Sequence, residues 1–152
     1  MAGVKLAENH EAVRIAALAR GIRGLSGKLK RRLREQGGVG YLTPSQTAVL
    51  LRLEKDGPAT TSELARAEAM RPQSMGTVIL ALEGAGLVQG APDLQDGRKT
   101  LLSLTDACRQ RIGDGRAARH DWLSRTIRSR LSHQEQEQLA TALNLLQRLV
   151  ED

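Results

Sequence analysis

The sequence has 152 residues, 40% hydrophobic and 26% charged, which fits one globular protein that folds without metals or disulfides and excludes a disordered chain. Only 1% of the residues are aromatic, so the core must be built from aliphatic side chains, which suits helices better than a β-sandwich. The net charge of +6 favours an anionic partner, either nucleic acid or a lipid surface, although a solvated basic surface without a partner has the same charge.

The first predicted element is an amphipathic helix from about residue 12 to residue 35, which two consecutive glycines end. Between Arg14 and Arg34 it carries eight basic residues and no acidic one. An apolar stripe with a Lys/Arg face also fits a helix that lies on an anionic membrane surface, and that alternative stays open here. The apolar residues recur at steps of three and four positions: Ile15, Leu18, Ile22, Leu25, Leu29 and Leu33.

Three helices are predicted between residues 43 and 83, each from its start signal. Residues 43–46 (Thr-Pro-Ser-Gln) combine a cap, a proline and a capping-box glutamine, and they open the second helix. Residues 60–63 (Thr-Thr-Ser-Glu) form another capping box and open a short helix through about Glu68, with Ala69 among its buried candidates. Pro72 opens the next helix, which has an apolar face and runs to about Glu83.

Two short strands are predicted next, at residues 87–89 and 100–104, joined by a polar connection with an Asp-Gly turn signal. Thr105 can cap a long helix that reaches about Arg130, and a capping box at residues 132–135 opens the last helix. The predicted fold is therefore mainly α, with a small β-hairpin.

The order of these elements is typical of a winged helix-turn-helix, in which the second of two short helices enters the major groove of DNA. Outside its apolar face, that helix carries Gln73, Ser74 and Thr77. Glutamine can read adenine edges, and serine or threonine can contact bases or phosphates. Arg71 stands at the helix start, where a phosphate contact is favourable because of the helix dipole.

The hairpin connection carries Arg98 and Lys99, which can reach a neighbouring minor groove, where a narrow groove attracts arginine. Asp96 cannot attract a phosphate, so its expected role is to hold the Arg98 side chain through a charge-assisted pair. Taken alone, residues 96–98 would fit an ordinary solvated turn. Their position directly after the helix-turn-helix favours the DNA role.

Six short segments follow one another along the chain in a specific order and spacing: residues 42–46 (LTPSQ), 61–65 (TSELA), 71–78 (RPQSMGTV), 82–88 (LEGAGLV), 96–98 (DGR) and 102–105 (LSLT). In these segments the chain resembles the MarR family of bacterial transcriptional regulators, and the resemblance covers nearly its whole length. It implies a winged helix-turn-helix DNA-binding domain at residues 43–105. Residues 1–42 and 106–152 would then supply dimerisation helices.

The function that the resemblance implies is that of a homodimeric repressor, released from a pseudo-palindromic operator by a small-molecule effector. Tyr41 and Trp122 are the candidate contacts for an effector in a cleft beside the dimer helices, although both also fit simple packing. Binding of double-stranded DNA is expected from Thr61, Arg71, Gln73, Ser74, Thr77, Asp96, Arg98 and Lys99.

Catalysis, a metal and a cofactor are not expected, because the three histidines are scattered and no phosphate-binding glycine loop occurs. Cys108 is the only cysteine in the sequence, so an internal disulfide is excluded. A lone cysteine is more often a small buried hydrophobic residue than a redox switch. No apolar run approaches the roughly 20 residues of a membrane span, so we expect a cytoplasmic protein. A winged-helix protein-interaction module and a nonspecific binder of DNA or anionic surfaces remain the alternatives.

Overall fold

The computed structural model describes residues 2–151, with side chains from residue 7 onward. Two compact units divide the chain. The winged unit comprises residues 37–117, and the helical unit comprises the chain up to residue 36 together with the chain from residue 118. The elements are α1 (Ala2–Arg34), α2 (Pro44–Asp56), α3 (Thr61–Ala67), α4 (Pro72–Gly84), β1 (Val88–Pro92), β2 (Thr100–Leu104), α5 (Asp106–Arg130) and α6 (His133–Gln147). The predicted mainly α fold with a β-hairpin is confirmed.

All three predicted capping boxes form. In the box that opens α3, the backbone N–H of Glu63 donates to the Thr60 hydroxyl at 3.2 Å. In return, the backbone N–H of Thr60 donates to the Glu63 carboxylate at 2.8 Å. Equivalent reciprocal bonds begin α2 at Thr43 and α6 at Ser132. Each box satisfies two N–H groups that a helix start otherwise leaves without a partner, which is why these short motifs fix the helix starts.

The core of the winged unit is aliphatic, as the composition requires. α2, α3 and α4 turn their apolar faces towards each other and towards the hairpin, and the N-terminal end of α5 adds Cys108. Among the described side chains no polar or charged one is buried. The buried set is Val49, Leu50, Leu53, Leu64, Ala65, Met75, Ile79, Leu82, Leu87, Val88, Leu102, Leu104 and Cys108.

Hydrogen bonds fasten the hairpin to the rest of the winged unit. β1 and β2 pair antiparallel, with Val88 opposite Leu104 and Pro92 opposite Thr100. Ala59, in the segment between α2 and α3, exchanges two backbone hydrogen bonds with Leu102, of 3.1 and 2.8 Å. The hairpin is therefore held against the segment that leads into α3, and its tip has a defined position relative to α4.

Three sequence-based details are wrong. α1 begins at Ala2, ten residues before the predicted start, because residues 2–11 lack the apolar periodicity used to find the helix. β1 extends to Pro92 rather than ending at residue 89. Ala69 is not buried: it is exposed and lies in the turn after α3.

The helical unit contains none of the buried apolar side chains found in residues 7–151, since they all lie between Val49 and Cys108. Five of the six residues of the apolar stripe on α1 are exposed, from 38% at Ile22 to 66% at Leu25, and Leu33 at its end is half-buried. The end of the chain likewise exposes Leu143, Leu145, Leu146, Leu149 and Val150. Within residues 2–151, no helix combines the length and apolarity that a membrane crossing requires.

Candidate nucleic-acid interface

The turn between α3 and α4 depends on a residue in the left-handed backbone region. Ala69 has φ 52°, and the backbone N–H of Met70 donates to the carbonyl of Ala65 at 2.8 Å. This geometry ends α3 and redirects the chain within a few residues, and Pro72 then starts α4. Arg52 of α2 supports the turn through an ion pair with Glu68 at 2.5 Å.

α4 has one face in the core and one face outside it. Met75, Ile79 and Leu82 are buried, at spacings of four and three residues. Gln73, Ser74 and Thr77, the predicted base-reading residues, are all exposed on the other side. The Thr77 hydroxyl donates to the carbonyl of Gln73 at 3.3 Å, a bond within the helix.

Leu80 shares this exposed face, which the sequence interpretation missed. It follows Thr77 by three residues and Gln73 by seven, so the three side chains lie along one line of the helix. Its side chain is 70% exposed, a large fraction for leucine in a helix whose other apolar side is buried. The signal was present in the sequence as a leucine at the helical spacing of the polar residues.

Arg71 occupies the N-cap of α4 and makes no capping hydrogen bond with its side chain. The residue is exposed, so the guanidinium is available to a ligand in front of the helix. The N-terminal end of a helix of this length attracts anions through its dipole and its N–H groups. The Arg71 guanidinium and the N-terminal end of α4 therefore both attract an anion that lies in front of the helix.

Two local turns order the hairpin tip between β1 and β2. The carboxylate of Asp93 accepts from the N–H of Gln95 at 2.9 Å, and that of Asp96 accepts from the N–H of Arg98 at 3.2 Å. The expected pair between Asp96 and Arg98 is present, with the guanidinium Nε 3.4 Å from the carboxylate. The Arg98 side chain is nevertheless 94% exposed. It is oriented at its base and accessible along its length.

A polar hollow of about 550 Å³ brings α3 and the hairpin tip together. Thr61 lines the same hollow as Arg98 and Lys99, from which it is distant in the sequence. Arg66 lines it too, and sequence reasoning missed this residue because nothing in the pattern places the middle of α3 beside the hairpin. The hydrogen bonds from Thr60 lower the pKa of the Glu63 carboxyl, and Lys99 and Arg66 lower it further. Cations outnumber this one carboxylate.

The two candidate effector contacts lie in different units. Tyr41, in the winged unit, is fully exposed. Trp122, in the helical unit, is half-buried, and the guanidinium of Arg32 lies 5.9 Å from the centre of its ring. This is the range of a cation–π contact, so one face of the indole is already occupied. Effector binding by either residue stays a prediction.

Cys108 is fully buried, and burial raises the pKa of its thiol. Its N–H donates to the Thr105 hydroxyl at 3.0 Å, the bond that caps α5. A thiol that is protonated and inaccessible is a poor nucleophile. Among the described side chains, no three of His, Cys, Asp and Glu are grouped so that they could hold a metal ion.

Residues 42–100, which include α2, α3, α4 and β1, match the MarR family. Uncharacterized HTH-type transcriptional regulators of Mycobacterium bovis and Mycobacterium leprae are 33% and 30% identical to the chain. Both alignments extend over 125 residues, which is 82% of this chain and 87% of the relative. The similarity thus reaches well beyond the winged unit.

Solved structures share the fold. A protein of Pseudomonas aeruginosa described as a transcriptional regulator is 33% identical, with a TM-score of 0.71 over 91% of this chain and 97% of that one. A mutant of Staphylococcus aureus MepR bound to an oligodeoxyribonucleotide is 22% identical, with a TM-score of 0.68 over 88% of this chain and 98% of that one.

Proposed function

The chain belongs to the MarR family of HTH-type transcriptional regulators and is a DNA-binding protein rather than an enzyme, and from this premise we propose that it is a homodimeric repressor in the cytoplasm. The observation that carries the proposal is the exposed polar face of α4 in the same compact unit as a hairpin tip with an accessible, oriented Arg98. A similar fold binds an oligodeoxyribonucleotide in MepR, which supports the same use of the winged unit here.

In the proposed complex, α4 lies in the major groove. Gln73 reads an adenine through its amide, and Ser74 and Thr77 contact bases or the adjacent phosphates. Leu80, one turn further along, contacts the methyl group of a thymine, the apolar feature of that groove. Three of these side chains form hydrogen bonds and one is apolar, so the face can discriminate between base pairs.

The contacts on either side of α4 position it. Arg71 binds a phosphate at the helix start, and Thr61 with Lys99 binds phosphates along the polar hollow. Arg98 enters the minor groove, where negative potential is concentrated. Asp96 restricts the arginine to fewer conformations, which lowers the entropy that binding would otherwise cost.

A dimer follows from the exposed apolar surface of the helical unit. Exposed apolar stripes of this extent are rare on monomers and mark interaction sites. The described part of the helical unit also buries no apolar side chain within the single chain. We propose that α1 and the C-terminal helices of two copies bury these side chains against each other. The two winged units then read half-sites about 10 base pairs apart, or a multiple of that spacing.

Repression follows if the operator overlaps a promoter, because the bound dimer excludes the polymerase. In the proposed mechanism a small-molecule effector contacts Trp122 and displaces Arg32 from its ring, and this change releases the DNA; Tyr41 is the second candidate contact. Trp122 is the only tryptophan, so its fluorescence reports directly on an effector that reaches it.

Selection of binding sites from a pool of random duplexes tests the proposal. We expect enrichment of an inverted repeat. In sedimentation, the complex with the selected site should contain two protein chains and one duplex. A pool that stays random while the protein binds it in a salt-dependent manner would identify a nonspecific binder. No binding to any duplex would identify a winged-helix protein-interaction module.

A further inference from the structure

The excess of positive over negative charge in this protein does not lie in its winged unit. Residues 37–117 contain nine Lys and Arg residues and nine Asp and Glu residues, so the unit is formally neutral. Residues 14–34 of α1 contain eight basic residues and no acidic residue. The remainder of the chain is slightly acidic, so these 21 residues account for the whole excess of +6. Nonspecific attraction to DNA comes mainly from such positive charge.

The basic residues of α1 are concentrated on one side of the helix. At 3.6 residues per turn, five of them fall within an arc of about 100°, on the side of the helix roughly opposite the apolar stripe. With a rise of 1.5 Å per residue, they extend along about 21 Å of the helix axis. Gly24 and Gly27 lie within or close to this arc, and because glycine has no side chain, nothing projects there between the basic residues. We define the basic face of α1 as Arg20, Arg23, Lys30, Arg31 and Arg34.

Nothing within the described part of the chain neutralises this face. All five residues are exposed, and none of them forms an ion pair with another side chain of residues 7–151. The helix dipole stabilises cations in the last turn, which accounts for Arg31 and Arg34. It does not account for Arg20 and Arg23, which lie more than two turns earlier. Their mutual repulsion is uncompensated in the single chain.

We propose that the basic face of α1 binds backbone phosphates of double-stranded DNA, in addition to the phosphates that the winged unit contacts. Charge complementarity carries the proposal, because a duplex presents about one phosphate charge per 1.7 Å of its axis along the whole length of the face. A lipid surface fits less well, because an interfacial helix inserts its apolar stripe into the lipid, and the proposed dimer buries that stripe against the partner copy. The orientation rests on the proposed dimer, which buries the apolar stripe.

The salt dependence of DNA affinity measures this contact. Each phosphate that a cation neutralises releases counterions and adds about 0.9 to the slope of log K against log salt. Each subunit of the proposed dimer carries one basic face, so the triple variant Arg20→Gln, Arg23→Gln, Arg31→Gln removes six positive charges from the dimer. If each of these arginines contacts a phosphate, the slope should fall by about 5 for binding of the dimer to a random-sequence duplex of 40 base pairs. The matched control is Arg125→Gln, Arg128→Gln, Arg130→Gln, which removes the same charge from exposed positions of α5.

We expect the control to keep the wild-type slope, and we expect both triple variants to keep wild-type helicity and sedimentation. Equal slopes for the two triple variants would overturn the inference. It would also be overturned if the α1 variant kept the wild-type slope for DNA but lost the salt-dependent binding of the wild type to vesicles that contain anionic lipid. Its failure is distinct from failure of the proposed function. If the proposed function failed, the wild-type protein would select no operator sequence, whatever the behaviour of the α1 variant.

Discussion

The side chains that face the proposed DNA site are held in place by weak local bonds. The pair between Asp96 and Arg98 is exposed and long, so its contribution to folding stability is small. Its effect is on the conformation of Arg98 before DNA arrives. Gln73, Thr77 and Leu80 are presented by a helix whose opposite face is buried, and that backbone is the rigid support of the site.

Arg98→Ala should weaken operator binding by roughly 1.5–3 kcal/mol, the range for a lost hydrogen bond to a charged group. The fold should not change, because the Arg98 side chain is almost fully exposed. The measurement is a gel-shift titration, with Arg111→Ala as the control because it removes the same charge from an exposed position of α5. Equal affinities of the two variants would refute the wing assignment.

Gln73→Ala should relax discrimination at one base pair of each half-site by about 1–3 kcal/mol, the usual value of a bidentate contact to a base. Affinity for sites already mismatched at that base pair should change little. The test is a comparison of binding to the operator and to its single-base variants. A specificity profile identical to that of the wild type would count against Gln73 as a reader.

Leu80→Ala should remove sensitivity to one thymine methyl group. Replacing a contacted thymine with deoxyuridine deletes only that methyl, so wild-type affinity should fall while the affinity of the variant should not fall further. The double comparison isolates the contact from any general effect of the substitution. If deoxyuridine at every thymine of the half-site leaves wild-type affinity unchanged, Leu80 does not read a methyl group.

At the scale of elements, the helix starts marked by capping boxes were predictable, whereas the start of α1 and the left-handed residue in the turn after α3 were not. Capping boxes are local signals, and each of the three marks a helix start in the structure, as do Pro44 and Pro72. Ala69 adopts φ 52° without being glycine, so the sequence carried no sign of the left-handed residue in that turn. The approach of Arg66 to the hairpin tip depends on packing between elements, which periodicity does not encode.

The α3 capping box should make stability depend on pH. Thr60→Ala should lower the free energy of unfolding by about 1 kcal/mol near pH 7, the usual value of an N-cap side chain. Alanine keeps the backbone N–H that donates to the Glu63 carboxylate and removes the hydroxyl, which also donates to it at 3.0 Å. Since both bonds lower the pKa of Glu63 in the folded state, the part that the hydroxyl contributes is present above the unfolded pKa and is lost as pH falls through the folded value. The difference from the wild type should therefore shrink in acid.

Denaturant unfolding at pH 7 and at pH 3 measures this effect. Ser62→Ala is the control, because Ser62 lies in the same helix and takes no part in the box. A Thr60→Ala difference that is the same at both pH values would show that the charge of Glu63 does not strengthen the box.

At the scale of the molecule, composition predicted a nucleic-acid partner but did not locate the charge. The winged unit, which we propose to read DNA, is formally neutral, and the excess positive charge lies on α1. The core shows the complementary division, because the described buried apolar side chains all belong to the winged unit. In this account the winged unit supplies a rigid reading surface, while the helical unit supplies dimerisation and electrostatic attraction.

The proposed DNA complex depends most on α4 lying in the major groove and on the hairpin tip lying in the minor groove. A DNA-cleaving reagent tethered to a single cysteine tests this directly, in a Cys108→Ser background that carries either Ser74→Cys or Gly97→Cys. Gly97 tolerates a side chain, since a Cβ there would contact nothing within 4 Å.

We predict that the reagent at position 74 cleaves within each half-site, with strand offsets of the major groove. At position 97 it should cleave outside the half-sites, with the offsets of the minor groove, and both patterns should be two-fold symmetric. Cleavage without these offsets, or the same pattern from both positions, would contradict the account.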